Sequence, residues 1–145
     1  VHKKVGKGRD VQLDHGAEVR PGDLIQLSYR ASEARHGVIF SIDGRGSVTL
    51  HFPAAPTEPT TLQLEGTQAL PNAFELDGAP RFERIFLVSA KTALDVNSIL
   101  AAARRLGAKA SRHIMNAPLS LSGVDAGDLA IKDVLLRKPT PGSAR

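Results

Sequence analysis

Three residues near the middle of the chain have the types of a catalytic triad: Ser41, His51 and Asp43. Ser41 and His51 lie on two short alternating apolar segments, which would bring their side chains close together if they paired as facing strands. However, no G-x-S-x-G turn surrounds Ser41, which lies within a strand pattern and not at the sharp turn of an exposed nucleophile. We therefore interpret these residues as part of a polar sheet face and predict no catalytic residue.

The sequence DGRG at positions 43–46 has the composition of a phosphate-binding or calcium-binding loop. A phosphate loop leads from a strand into a helix N-terminus, whereas the next segment here, 48–52, alternates as a strand. A calcium loop needs several oxygen ligands, and Asp43 is the one carboxylate in this turn. The pattern instead predicts a β-hairpin over 37–53, with glycines that take positive φ in its turn.

The potential metal ligands of this chain are not spaced as a metal site. Its five histidines form no H-x-H or H-E-x-x-H motif, and it has no cysteine. Paired-acid hydrolysis needs two carboxyl groups at a defined separation. The order of residues does not define that separation for Glu65, Glu75, Asp77 and Glu83. We predict neither a metal nor another cofactor.

The chain is mildly basic, with a formal net charge of +4 and a pI of about 9.8. Its densest group of cations consists of Arg104, Arg105, Lys109 and Arg112. A second group consists of Lys3, Lys4, Lys7 and Arg9. Neither group contains the aromatic side chains that stack on single-stranded nucleic acid. A solvated surface, together with the favourable placement of cations at a helix C-terminus, explains these groups better than nucleic-acid binding does. We take the first group as the candidate partner-binding surface, and nucleic-acid binding through it is an alternative.

Period-two alternation and turn residues predict a mainly β fold. Segment 24–30 alternates, with Ile25, Leu27 and Tyr29 on one face, and the apolar run 84–90 indicates a strand in the centre of a sheet. Further short strands are predicted at 1–5, 11–13, 60–64 and 130–137. One α-helix is predicted near residues 95–107, capped by Asp95 and stopped by Gly107. The expected architecture is a β-sandwich or partly open barrel of short, mostly antiparallel strands.

The size of the chain suits a single β-rich domain over residues 1–138, with a flexible tail at 139–145. A chain of 145 residues, 41% of them hydrophobic, can bury a core without disulfides or metals. The lack of cysteine excludes disulfides and a thiol nucleophile, and no apolar run is long enough to span a bilayer. Because Val1 starts within a strand pattern, we expect the chain to be a piece of a longer protein.

Three blocks of sequence carry a resemblance to a known family: RPGDLIQLSY at 20–29, GVIFSIDGRG at 37–46 and VTLHFP at 48–53. The similarity continues through 69–80, 82–88, the helix that follows Asp95, Ser120-Leu121 and 134–138. These blocks resemble a bacterial domain-of-unknown-function family of envelope proteins, which includes anti-sigma-factor-like membrane proteins. The resemblance implies an extracytoplasmic (periplasmic) domain that follows a single membrane span, and membrane attachment through parent sequence outside this chain. It supplies no catalytic residues.

The function we expect from these observations is that of a non-enzymatic sensory or interaction domain that binds a protein or another envelope component. One alternative is a carbohydrate-binding or hydrolytic β-sandwich with a groove lined by His51, Asp43 or Arg45. The other alternative is nucleic-acid binding through the basic group at 104–112.

Overall fold

A computed structural model describes residues 1–4, 10–109, 111–124 and 126–139. The predicted turn at 6–8, the cations Lys7 and Arg9, and the tail beyond Pro139 lie outside these residues. The elements are β1 (His2–Lys4), β2 (Asp10–Gln12), β3 (Ala17–Glu18), β4 (Leu24–Gln26), β5 (Ser28–Arg30), β6 (His36–Asp43), β7 (Val48–Phe52), β8 (Thr67–Ala69), β9 (Phe74–Glu75), β10 (Arg81–Ala90), α1 (Val96–Gly107), α2 (Ser111–Asn116) and β11 (Ala130–Lys138).

A five-stranded sheet in the order β3-β11-β10-β6-β7 forms the centre of the structure. Strand β10 pairs antiparallel with both β11 and β6, and β6 pairs antiparallel with β7. The prediction that the apolar run 84–90 lies centrally in a sheet is therefore confirmed. The predicted hairpin over 37–53 is confirmed as β6 and β7.

Hydrophobic side chains cover both faces of this sheet. On β6, Val38, Phe40 and Ile42 belong to the cluster that contains the buried residues of α1 and α2, whereas Ile39 belongs to the opposite cluster. The helices thus cover one face. A strand buried on both faces is apolar at almost every position, which explains the nearly continuous apolar run of β6.

Two smaller sheets, β2-β1-β4-β9 and β5-β8, contribute to the cluster on the other face. Ile25, Leu27 and Tyr29 are all buried in that cluster. They lie on one face as the alternation predicts, although segment 24–30 divides into β4 and β5, which belong to different sheets. The sheets described do not close into a barrel, and the predicted mainly β, sandwich-like fold is confirmed.

Two sequence predictions differ from the structure in detail. The strand expected at 60–64 is reduced to a single bridge between Thr61 and His36. Helix α1 is capped by Asp95 as predicted, but Gly107 is its last residue, and the C-cap Ala108 has right-handed helical dihedrals. Gly107 therefore does not stop the helix through a left-handed conformation.

Candidate functional site

Ser41 and His51 are in direct contact across the β6–β7 hairpin. Ser41 Oγ lies 2.8 Å from His51 Nε2, as the facing-strand arrangement allowed. Ser41 is only 1% exposed, so its hydroxyl lies beneath the imidazole and not at the surface. Serine and histidine in contact are the nucleophile and base of many hydrolases. Here, however, the buried Ser41 hydroxyl is not accessible to a substrate.

A β-bulge sets the position of His51. Ile39 pairs with Phe52 and Phe40 pairs with Leu50, which leaves His51 as an extra residue on β7. The side chains of His51 and Phe52 consequently both point to the face opposite the helices: His51 contacts Ser41, and the Phe52 ring lies 6.0 Å from that of Tyr29. Strict alternation would direct one of them to the helix face.

Ser41 continues into a buried chain of polar groups. Its side chain hydrogen-bonds to Glu83, and Glu83 Oε2 lies 3.2 Å from Lys138 Nζ. Lys138 Nζ also donates to the carbonyl oxygen of Ala79 at 3.1 Å and lies 3.5 Å from Asp77 Oδ1. Burial raises the pKa of Glu83, while Lys138 and the Ser41 hydroxyl act in the opposite direction. Each buried polar group in this chain has a partner, as low-dielectric surroundings require.

The order of donors in this chain favours the Nε2–H tautomer of His51. The Lys138 ammonium favours an ionised Glu83 carboxylate, which accepts the single hydroxyl proton of Ser41. Ser41 Oγ can then only accept, so His51 Nε2 carries the proton and donates it. Burial lowers the pKa of His51 to about 4, so the ring is neutral at neutral pH. In the Nε2–H tautomer, Nδ1 is a hydrogen-bond acceptor.

Asp43, the third candidate of the triad pattern, does not face His51. Its Oδ1 accepts hydrogen bonds from the backbone N–H groups of Arg45 and Ser47 at 2.9 and 3.0 Å. It orders the hairpin turn, in which Gly46 has a φ of +84° as predicted, whereas Gly44 does not have a positive φ. The carboxylate in this chain of contacts is Glu83, which the sequence pattern did not associate with Ser41 because the two residues lie on different strands.

A cavity of about 240 Å³ opens beside His51. It is lined by Leu50, His51, Ala54, Leu70, Pro71, Asn72, Ala73 and Phe74. The Phe74 ring packs against the imidazole with centroids 4.4 Å apart. Asp43 and Arg45 do not line this cavity, so the groove expected for a carbohydrate-binding or hydrolytic sandwich contains only His51 of its three residues. A second cavity, of about 180 Å³, lies between the layers near Leu27, Tyr29 and Leu87.

The predicted basic surface lies at the junction of the two helices. Arg104 and Arg105 occupy the last turn of α1, Lys109 follows it, and Arg112 lies on α2. All four are exposed, and none forms an ion pair within the described part of the chain. The sequence from 96 to 124 contains no acidic residue. We call these four residues the basic corner.

Comparisons with protein-family models, with curated proteins and with solved structures produced no match. The described residues contain no group of three or more histidines and carboxylates arranged to hold a metal ion. None of the helices described is long and apolar enough to cross a membrane.

Proposed function

We propose that this chain is a non-enzymatic interaction domain that uses the basic corner to bind an acidic protein surface. The observation that supports this proposal is the exposure of Arg104, Arg105, Lys109 and Arg112 without ion-pair partners among the described residues. Four such cations on one corner produce a positive potential that attracts anionic partners and accelerates their association.

The basic corner rests on well-anchored helices. Ile99 and Leu106 of α1 and Ile114 of α2 are buried in the core. Arg84 of the central sheet donates to the carbonyl oxygens of Ile114 and Ala117 at 2.7 and 2.6 Å. A rigid support reduces the entropy lost when a partner binds. No aromatic ring of Phe, Tyr or Trp occurs between 96 and 116, which favours a protein partner over single-stranded nucleic acid.

Three anionic probes test this surface: poly-L-glutamate, vesicles that contain phosphatidylglycerol, and duplex DNA. We expect poly-L-glutamate to bind the wild-type protein and to be released as salt increases. The double variant Arg104→Glu/Arg105→Glu should lose this binding. The control Arg20→Glu/Arg137→Glu changes net charge equally at exposed sites and should retain it. Equal loss in both variants, or binding only to DNA or vesicles, would contradict the proposal.

The resemblance to envelope proteins supports an extracytoplasmic, sensory role for the domain. In such a role, a partner or ligand binds one of two states of the parent protein more tightly than the other and thereby shifts the equilibrium toward that state. Fusion of topology reporters to the full-length parent protein tests the location. A cytoplasmic location of this segment would refute the sensory role in the envelope but not the binding by the basic corner.

The contact between Ser41 and His51 favours hydrolysis as a second candidate function. Two features oppose it: Ser41 is buried, and burial lowers the pKa of His51 to about 4, which makes the imidazole a weak general base at neutral pH. A fluorophosphonate probe labels activated serines and therefore separates the two functions. We expect no labelling of Ser41, and labelling that disappears in Ser41→Ala would establish the hydrolytic function instead.

A further inference from the structure

The cavity beside His51 has the properties of a ligand site, independently of the basic corner. We propose that it binds a small uncharged molecule that consists of one aromatic ring with a hydroxyl or N–H donor directed at His51 Nδ1. Phenol is the simplest molecule of this class.

The size of the cavity sets the size of the ligand. A cavity of about 150 Å³ in a protein core is sufficient for benzene, and this cavity has about 240 Å³. Typical sites for drug-sized ligands start at about 300 Å³. A single substituted ring therefore fits within the cavity, whereas part of a larger ring system would extend into solvent.

The lining of the cavity determines the charge of the ligand. All eight lining residues are uncharged when His51 is neutral, so an ionic ligand would lose hydration without gaining an ion pair. Leu50, Leu70 and Phe74 supply apolar contacts for a ring. Because His51 Nε2 already contacts Ser41 Oγ, Nδ1 is the ring nitrogen left for a ligand. In the Nε2–H tautomer Nδ1 is an acceptor, so it favours a ligand that carries a hydrogen-bond donor.

The walls of the cavity are held in place before any ligand arrives. Gln26 Nε2 donates to the carbonyl oxygen of Leu70, and the N–H of Leu70 donates to the carbonyl oxygen of Leu27, both at 2.9 Å. His51 is oriented from below by Ser41, Glu83 and Lys138. Buried hydrogen-bonded supports of this kind preorganise a binding group.

The edge of the sheet beside the cavity is a poor site for an added peptide strand. β7 is the outermost strand of the central sheet, but the bulge at His51 interrupts its ladder, and Pro53 lacks an N–H group. Bulges and prolines discourage strand addition at sheet edges. These features favour a small molecule over an extended peptide.

Titration with phenol, anisole and benzoate, followed by amide and imidazole NMR shifts, tests the proposal. Phenol should shift the signals of His51, Asn72 and Phe74 and bind at least about tenfold more tightly than anisole, which lacks the donor. Benzoate should bind more weakly than phenol because its charge would lose hydration. Equal affinities for phenol and anisole, or shifts confined to the second cavity, would overturn the proposal.

Two variants separate the cavity from the hydrogen bond. Ala54→Trp, at an exposed rim position, should fill the cavity and abolish binding, while Ala34→Trp beside another pocket should not. His51→Phe retains an aromatic ring and should remove the preference for phenol over anisole. Its thermal unfolding is measured in parallel. If His51→Phe does not fold, the Ala54→Trp variant still tests the site, because phenol binding that persists in Ala54→Trp would refute it.

Discussion

Gly46 and Gly107 meet backbone to backbone where the β6–β7 turn touches the end of helix α1. A Cβ atom at Gly46 would overlap the carbonyl oxygen of Gly107, and a Cβ atom at Gly107 would overlap the carbonyl oxygen of Gly46. Each position therefore requires glycine because of its neighbour. Gly46 additionally requires it for its positive φ. This contact joins the hairpin to the helix that carries Arg104 and Arg105.

The substitution Gly107→Ala should destabilise the protein by about 1–3 kcal/mol, the usual effect of overpacking. Alanine is the better helix former by about 1 kcal/mol, so a loss of stability would show that the steric overlap exceeds the gain in helix propensity. Urea unfolding measures this free energy. Gly78→Ala is the matched control, since a Cβ there meets nothing within 4 Å and should leave stability unchanged or slightly higher.

Stability should fall as the pH decreases from about 6.5 to about 4, because burial lowers the pKa of His51 from 6.5 to about 4. In this range the unfolded chain binds a proton at His51 and the folded protein does not, so acid favours unfolding. Below about 4 both states are protonated and the loss levels off. The full effect is about 3 kcal/mol.

The difference in unfolding free energy between wild type and His51→Phe isolates this effect. The raised pKa of Glu83 acts with the opposite sign, because the folded state gains the proton more readily than the unfolded chain. The lowered pKa of Asp77, Asp95 and Asp128 reduces stability only as the pH falls through and below 3.8. All four contributions remain in the variant. A pH-independent difference between the two proteins would contradict the assignment to His51.

Substitution Lys138→Met should reverse the proton order of the buried chain. Without its cation, Glu83 would be protonated by burial and would donate to Ser41, which would then donate to His51 Nε2. The imidazole proton would move to Nδ1, and imidazole ¹⁵N shifts distinguish the two tautomers. We also expect a loss of up to about 3–5 kcal/mol of stability. Asp77→Asn neutralises an exposed neighbour of Lys138, keeps an oxygen for the Ala79 N–H, and should leave the Nε2–H tautomer unchanged.

Substitution Arg84→Met should destabilise the protein by about 3–5 kcal/mol and expose α2 to hydrogen exchange. The Arg84 side chain is 6% exposed; it pairs with Asp133 at 2.9 Å, donates to two carbonyl oxygens at the end of α2, and lies 4.5 Å from the centre of the Phe86 ring. Met leaves the Asp133 carboxylate and both carbonyl oxygens without these donors. Arg84→Lys should give an intermediate effect, because an ammonium cannot reproduce the planar fork of arginine. Exchange in α2 at the wild-type rate would refute this anchoring role.

Alternation, turn residues and capping predicted the hairpin, the central strand, helix α1 and the mainly β class, because these depend on local preferences. Helix α2 was not predicted. Its six residues, Ser111–Asn116, are too few to show a helical period, and among residues 112–116 Ile114 is the one fully buried position. The division of 24–30 into two strands was also not predictable, since both parts bury the same face.

The site was only partly predictable for a different reason. The closeness of Ser41 and His51 follows from hairpin pairing, but the bulge adds a residue without any local mark in the sequence. Glu83 and Lys138 lie on strands distant in sequence from Ser41, and an apolar strand pattern gives no indication that a charged residue within it is buried. Their pairing depends on tertiary register.

Two ion pairs between β10 and β11, each with a buried cation, also specify how these strands align. Glu83 lies opposite Leu136 and Arg84 opposite Leu135, yet Glu83 binds Lys138, two residues further along, and Arg84 binds Asp133, two residues back. A shift of β11 by two residues preserves the alternation of inward and outward side chains. A shift in one direction places Arg84 directly opposite Asp133 but moves Lys138 away from Glu83. A shift in the other direction places Glu83 directly opposite Lys138 but moves Asp133 away from Arg84. Every such misalignment leaves at least one buried charged group without its partner. The two ion pairs, which are offset in opposite directions, therefore disfavour the wrong registers that hydrophobic patterning alone would allow.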